Sequence, residues 1–184
     1  MSDLGVQIIT LSSDDGGAIK QVAVLLIEGF KAHAPNAWSN MAAALEEVRE
    51  SFGADRISRI ALDQSGEVVG WIGGLSHYDG NVWEIHPLVV QPSRQGGGIG
   101  RQLVRDFEAI VRERGGLTIW VGTDDETSMT TLAGVDLYPN VLGHLARINE
   151  FYQKLGFVIA GAMPDANGRG KPDIFLAKRV APDC

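Results

Sequence analysis

The stretch Gln95-Gly96-Gly97-Gly98-Ile99-Gly100 marks the point at which the sequence changes from a strand pattern to a helix pattern. The apolar run Leu88-Val89-Val90 precedes it, and apolar residues continue at helical spacing over Leu103–Val111. Glycines let a backbone approach a ligand closely, and the first turn of a helix presents unpaired N–H groups with a partial positive charge. The stretch therefore predicts either an anion-binding loop or a flexible turn.

Two common phosphate-binding patterns fit this stretch poorly. A dinucleotide-binding loop needs a third glycine where Leu103 stands, and it follows an early parallel strand rather than several strands of antiparallel type. A nucleotide-binding P-loop continues with Lys and Ser or Thr, whereas Gly100 is followed by Arg101 and Gln102. Both interpretations are therefore rejected.

Strand and helix patterns fill the rest of the chain. The predicted helices are Ile19–Phe30, a second that starts near Ser39, Leu103–Val111 and Leu145–Leu155. The predicted strands are Val6–Thr10, Ile57–Leu62, Glu67–Leu75, Val82–Val90, Leu117–Val121, Phe157–Ala160 and Ile174–Ala177. Pro87 falls inside one of these strands and has no N–H to donate, so it predicts a bulge or an unpaired edge. The pattern predicts one mixed α/β domain over residues 1–184.

Composition and charge narrow the class of protein. The chain has 184 residues, of which 45% are hydrophobic and 21% charged, as in ordinary globular domains. Its 16 Lys and Arg against 23 Asp and Glu leave a net charge of −7. Nucleic acid is therefore an unexpected partner, because binding to it depends on Lys and Arg that neutralise phosphates. A cationic partner suits the acidic charge, although the charge also serves solubility alone.

The number of cysteines and the composition of the first residues indicate where in the cell the protein is expected. Cys184 is the one cysteine, so an internal disulfide and a multi-cysteine metal site are excluded. Residues 1–5 show no basic region followed by an apolar core, and no stretch is long and apolar enough to span a membrane. We expect a cytoplasmic protein with no membrane partner.

Two segments together resemble the GCN5-related N-acetyltransferases. Gln95-x-x-Gly98-x-Gly100 matches that family's Gln/Arg-x-x-Gly-x-Gly/Ala signature, and Phe151-Tyr152-Gln153-Lys154-Leu155-Gly156-Phe157 is similar to its Tyr-x-x-x-Gly-Phe segment. The resemblance covers nearly the whole chain. It implies an α/β (α+β) fold whose central mixed, mostly antiparallel sheet has about six to seven strands, a splayed and bulged middle strand and about four flanking helices.

The same resemblance implies acetyl-CoA as the donor, CoA as the product and no metal. The loop is expected to hold the pyrophosphate through Gln95, Gly96, Gly97, Gly98, Ile99, Gly100 and Arg101. The pantetheine arm is expected along Leu88, Val89 and Val90, and the amides of Val89 and Val90 are expected to polarise the thioester carbonyl. One position departs from the family: Leu145 stands where many members carry Asn, and Asn149 is the candidate substitute.

The strand before the loop narrows the resemblance further. Trp83-Glu84-Ile85-His86-Pro87-Leu88-Val89-Val90 is similar to the Trp-Glu-Leu-His-Pro-Leu-Val-Val strand of the aminoglycoside 6′-N-acetyltransferases. Further segments that resemble these enzymes are Ala37-Trp38, Gly122–Glu126 and Pro164–Ile174. This resemblance implies acetyl transfer to the 6′-amine of an aminoglycoside such as kanamycin or tobramycin, and hence antibiotic resistance. It also implies a possible homodimer.

The side chains in these segments suit acyl transfer to an amine. An amine must lose a proton before it attacks a thioester, and a carboxylate is a suitable general base. Glu84 and His86 share one face of a strand by alternation. The resemblance assigns the base to Glu84, with a surface acid at the strand end as the alternative. His86 is expected either to position water or substrate or to satisfy a backbone group.

The leaving group and the reaction course follow from two further residues. The resemblance makes Tyr152 the general acid for the departing CoA thiolate, with a core aromatic as the alternative. Since Cys184 is the last residue and the one thiol, no internal cysteine is placed to carry the acetyl group. We therefore expect direct attack in a ternary complex.

Acidic and aromatic residues suggest how a polycationic acceptor is held. Carboxylates in a cleft attract and orient ammonium groups, and the candidates are Asp124, Asp125, Glu126, Asp136 and Asp165. Trp38, Tyr78 and Trp83 are the aromatic candidates, although Trp38 and Trp83 equally suit a core. Two alternatives stay open, namely acetylation of a polyamine, another small amine or a protein amine, and a non-catalytic CoA-binding module. The presence of both Glu84 and Tyr152 argues against the second.

Overall fold

The computed structural model describes residues 5–32, 34–123 and 150–181. The chain falls into two compact units, Met1–Gly116 and Leu117–Cys184. The organisation of residues 1–184 as one domain stays a prediction. None of the helices in the described ranges is long and apolar enough to cross a membrane.

The first unit alternates helices with antiparallel strands. Its described elements are β1 (Gln7–Thr10), α1 (Gly16–Phe30), α2 (Met41–Glu50), β2 (Arg56–Leu62), β3 (Val68–His77), β4 (Val82–Val90) and α3 (Ile99–Glu113). The strands pair in the order β1-β2-β3-β4. Asp15 and Asn40 cap α1 and α2, because their side chains accept hydrogen bonds from the backbone N–H groups of Ala18 and Ala43.

The helices of this unit cover both faces of its strands. Trp71 and Val89, paired across β3 and β4, are buried in the cluster that α1 and α2 complete. On the opposite face, a Cβ atom at Gly74 would lie 2.2 Å from Phe107 of α3. Glycine at this position therefore lets α3 pack closely against β3.

The strand β4 carries a bulge at the predicted position. His86 and Pro87 together lie opposite Gly73 of β3, so two residues face one. Pro87 predicted either a bulge or an unpaired edge, and the bulge is confirmed. The extra residue reverses the alternation of β4, so that Glu84 and His86 before the bulge and Val89 after it point to the face of α1 and α2.

The second unit consists of short antiparallel strands and a single described helical turn. Its elements are β5 (Thr118–Thr123), α4 (Glu150–Gln153), β6 (Val158–Met163) and β7 (Asp173–Arg179). The strands pair in the order β5-β7-β6, and the central strand buries Ile174 and Leu176. With seven described strands and antiparallel pairing inside each unit, the predicted α/β class and strand number are confirmed. The first part of the predicted helix Leu145–Leu155 lies outside the described residues.

Candidate active site

The glycine-rich loop leads directly into the first turn of α3. Gly96 and Gly98 have positive φ values of 77° and 92°, and Gly98 caps the helix. No acceptor among the described residues bonds the backbone N–H groups of residues 96–101. The Gln95 side chain donates to the Val90 carbonyl at 3.2 Å. The remaining loop residues are an exposed Gly97, buried Ile99 and Gly100, and an exposed Arg101.

A turn between β2 and β3 anchors the start of this loop. The Asp63 carboxylate accepts a hydrogen bond from the Ser65 hydroxyl at 2.6 Å and from the Glu67 N–H at 3.1 Å. It also forms an ion pair with Arg94 at 3.2 Å, directly before Gln95. These bonds, that of the Ser65 hydroxyl foremost, hold the pKa of Asp63 below its usual range.

The end of β4 supplies backbone donors beside the loop. The Gln91 N–H donates to the Val69 carbonyl at 3.0 Å. Because hydrogen bonds alternate along an antiparallel pair, the Val89 N–H points to β3, whereas those of Leu88 and Val90 point away from it. Of the two amides expected to polarise a carbonyl, Val90 is therefore the one that β3 does not use.

Glu84 is held by a histidine from the neighbouring strand. The His77 Nε2 atom lies 2.9 Å from the Glu84 Oε2 atom. Leu75 pairs with Glu84 and His77 pairs with Val82, so the histidine lies diagonally across from the carboxylate on the same face. The Glu84 side chain keeps 19% of its surface exposed. It is therefore partly sheltered, yet open to an incoming group.

His86 lies on the same face and belongs to a second cluster. Its Nε2 atom is 3.8 Å from the Oε1 atom of Glu47 on α2. The other oxygen of Glu47 accepts a hydrogen bond from the Trp38 indole N–H at 3.2 Å. The Trp38 ring packs edge-on against Phe30 at 4.6 Å and lies 6.3 Å from the His86 ring. Trp38 thus joins the core on one side and the predicted site on the other.

The other two aromatic candidates are placed very differently. Trp83 is only 3% exposed, its indole N–H donates to the Gly80 carbonyl at 3.1 Å, and Arg114 lies over its ring. This burial favours the core alternative for Trp83 over contact with a sugar ring. Tyr78 is 77% exposed, in the turn between β3 and β4, where its φ of 51° is unusual for a non-glycine residue. Its ring is free to contact an acceptor.

The second unit contains Tyr152 and Asp165. The Tyr152 ring is 9% exposed and packs between Phe151 and Phe157, with ring centroids 5.0 and 5.5 Å away. The Asp165 carboxylate accepts a hydrogen bond from the Gly170 N–H and so stabilises the β6–β7 turn. Asp124, Asp125, Glu126, Asp136 and Asn149 lie outside the described residues, and their roles stay predictions, as do those of Tyr152 and Asp165.

Sequence reasoning missed two residues of this face, His77 and Glu47. The signal for His77 was available, since a hairpin with a tight turn sets the register that brings it to Glu84. Glu47 gave no such signal, because the packing of α2 places it beside His86. Within the described ranges, no group of three or more His, Cys, Asp and Glu side chains is arranged to hold a metal ion.

The sequence matches one protein-family model. The model described as the acetyltransferase (GNAT) family matches residues 26–157, well over half of the chain. Comparison with curated proteins finds no match.

Solved structures resemble the chain over nearly its full length. One, described as an aminoglycoside 6′-N-acetyltransferase complexed with coenzyme A, is 38% identical with a TM-score of 0.84. The aminoglycoside 6′-N-acetyltransferase from Enterococcus faecium is 38% identical with a TM-score of 0.81. An aminoglycoside 6′-acetyltransferase type Ii is 35% identical with a TM-score of 0.75. Each comparison covers 97% of this chain and 99% of the other.

Proposed function

The chain belongs to the acetyltransferase (GNAT) family, and from this premise we propose that it acetylates the 6′-amine of aminoglycoside antibiotics and so confers resistance to them. One observation carries the proposal, namely full-length similarity at 35–38% identity to structures described as enzymes of that activity. Kanamycin and tobramycin are suitable acceptors because both carry a 6′-amine.

The loop and the end of β4 fit the donor, acetyl-CoA, which supplies an acetyl group activated as a thioester. A Cβ atom at Gly96 would meet nothing within 4 Å, so the loop is open to a ligand. The N–H groups of residues 96–101, which bond no acceptor in the described part of the chain, and the positive end of α3 suit a pyrophosphate. The Val90 N–H, directed away from β3, is suited to donate to the thioester oxygen.

Glu84 is the proposed general base. Its carboxylate is partly exposed on the face that also carries His86 and Trp38. The acceptor amine gives a proton to Glu84, directly or through water, as its nitrogen bonds to the acetyl carbon. The carbon–sulfur bond then breaks, and Tyr152 gives its phenolic proton to the departing sulfur. No acyl-enzyme is needed in this course.

Carboxylates are proposed to orient the acceptor. Aminoglycosides carry several ammonium groups, which acidic side chains attract before and during binding. The candidates are Asp124, Asp125, Glu126, Asp136 and Asp165, with Tyr78 and Trp38 as aromatic contacts. We also propose that the enzyme works in the cytoplasm and forms a homodimer, which fractionation and sedimentation equilibrium test separately.

Release of CoA thiol from acetyl-CoA tests the proposed acceptor. Neomycin and paromomycin form a matched pair, because neomycin has an amine at the 6′ position where paromomycin has a hydroxyl. We expect rapid release with kanamycin and neomycin, little with paromomycin and little with spermidine. Equal rates with the matched pair would contradict transfer to the 6′-amine, and a preference for spermidine would make the protein a polyamine acetyltransferase.

Two substitutions test the proposed acid and base. Glu84→Gln is expected to lower kcat by about 10²- to 10⁴-fold, the usual contribution of a general base, without weakening acetyl-CoA binding. Glu46→Gln removes the same charge from an exposed position of α2 and is the matched control. Tyr152→Phe keeps the buried ring but removes the phenolic proton, so kcat should fall while the melting temperature is retained. Full activity of Glu84→Gln would contradict its role as the general base. A wild-type protein that binds acetyl-CoA but releases no CoA with any amine would favour the non-catalytic alternative.

A further inference from the structure

The contact between His77 and Glu84 is not used by any step of the proposed reaction. The proposed base needs one free carboxylate oxygen directed at the acceptor amine, yet a glutamate side chain has three rotatable bonds. In the part of the chain that the structure describes, the hydrogen-bonding partner of the Glu84 carboxylate is His77, at 2.9 Å from Oε2. That separation is normal for an N–H···O hydrogen bond.

The hairpin holds the histidine in place. His77 ends β3, and the following turn contains Tyr78 and Asp79 with φ values of 51° and 56°. The buried Trp83 donates its indole N–H to the Gly80 carbonyl, which ties this turn to β4. The turn and its bond to β4 therefore hold His77 close to the strand that carries Glu84.

We propose that His77 is a positioning residue for Glu84, an inference that rests on the proposed function. In its Nε2–H form the imidazole donates to Oε2, which holds the carboxylate in one orientation and leaves Oε1 to take the proton of the acceptor amine. A neutral donor suits this task, because a fixed cation in its place would stabilise the carboxylate and weaken it as a base.

Two substitutions separate this role from the alternatives. His77→Gln places an amide N–H near the position of the imidazole Nε2, so kcat should stay within about threefold of the wild-type value. His77→Leu removes the donor, and kcat should fall about 10- to 100-fold, as expected for the loss of a hydrogen bond to a charged group. The affinity for acetyl-CoA, measured by calorimetry, should not change in either variant, because His77 pairs with Val82 at the start of β4, whereas the loop of residues 95–101 follows the end of that strand.

Each result decides for or against the inference. Full kcat in His77→Leu would overturn it, and so would an equal loss in both variants, which would indicate that the histidine must exchange a proton. Should His77→Leu not fold, His77→Asn replaces it, because its shorter amide does not reach Oε2.

A measurement without turnover separates this inference from the proposed function. In ¹⁵N spectra of the imidazoles, Glu84→Gln should shift the ring-nitrogen signals of His77, whereas the control Glu46→Gln should leave them unchanged. Unchanged His77 signals in Glu84→Gln would overturn the contact. A wild-type enzyme that acetylates no aminoglycoside would instead refute the proposed function, and its His77 signals would still test the contact.

Discussion

Substitution of Gly73 by alanine tests whether the bulge in β4 builds the proposed site. A Cβ atom at Gly73 would lie 2.3 Å from the carbonyl oxygen and 3.1 Å from the carbonyl carbon of His86. Both atoms belong to the backbone of the bulge, so no side-chain rotation relieves the clash. The strand that carries Glu84 and His86 must therefore move away from β3.

The size of the effect follows from that distance. Real Cβ atoms essentially never lie closer than 3.0 Å to another heavy atom, so the 2.3 Å contact demands a shift of about 0.7 Å. Overpacking of this kind costs about 1–3 kcal/mol of stability. A displacement approaching 1 Å at reacting groups lowers rates by about tenfold to a hundredfold. We therefore expect Gly73→Ala to lose both stability and kcat.

Urea unfolding followed by circular dichroism, together with CoA release, measures both losses. Gly16→Ala is the matched control, because a Cβ atom there meets nothing within 4 Å. Its stability should be unchanged or slightly higher, since alanine favours helices over glycine. If Gly73→Ala unfolds at the wild-type urea concentration and keeps its kcat, the reasoning about the bulge is refuted.

Three further predictions concern the surroundings of the site. Phe107→Ala removes a fully buried ring and should cost about 3–5 kcal/mol in urea unfolding; a cost below 1 kcal/mol would contradict its core role. The pKa of Asp63 is lowered in the folded state, chiefly by the Ser65 hydroxyl. The stabilisation from its carboxylate is therefore present above the unfolded-state pKa and lost as pH falls through the lowered one. Asp63→Asn should be less stable than wild type at pH 7, with the difference disappearing in acid; a pH-independent difference would exclude this linkage. Lys178→Met removes the ammonium that donates to the Leu155 carbonyl at 2.7 Å, so kcat should fall through looser placement of the Tyr152 segment, and an unchanged kcat argues against that link.

Much of the fold could be read from local patterns. The strand Val82–Val90 was predicted with the bounds that the structure has, and the bulge followed from Pro87. Asp15 is an equally local feature, because its side chain caps α1 by accepting a hydrogen bond from the backbone N–H of Ala18, three residues on. Such features depend on neighbours in the sequence, which is why residue order alone is enough to predict them.

The candidate site likewise has features that the sequence alone predicts and features that it leaves undecided. The glycine-rich loop, the helix behind it and the shared face of Glu84 and His86 are properties of one segment each, and the sequence alone determined them. The sequence left the placement of Trp83 undecided, since an indole suits a core as well as a sugar ring, and the structure shows that it is buried.

Only the tertiary structure decided which side chain supports His86 and Trp38, because Glu47 reaches both through the packing of α2. The contact of His77 with Glu84 depends only on the register of one hairpin, which a tight turn sets. The alternation of backbone bonds between β3 and β4 likewise identified Val90, rather than Val89, as the donor that β3 does not use. The physical reason is that helix packing depends on contacts between residues far apart in sequence, such as Glu47 and His86, and no local pattern encodes those contacts.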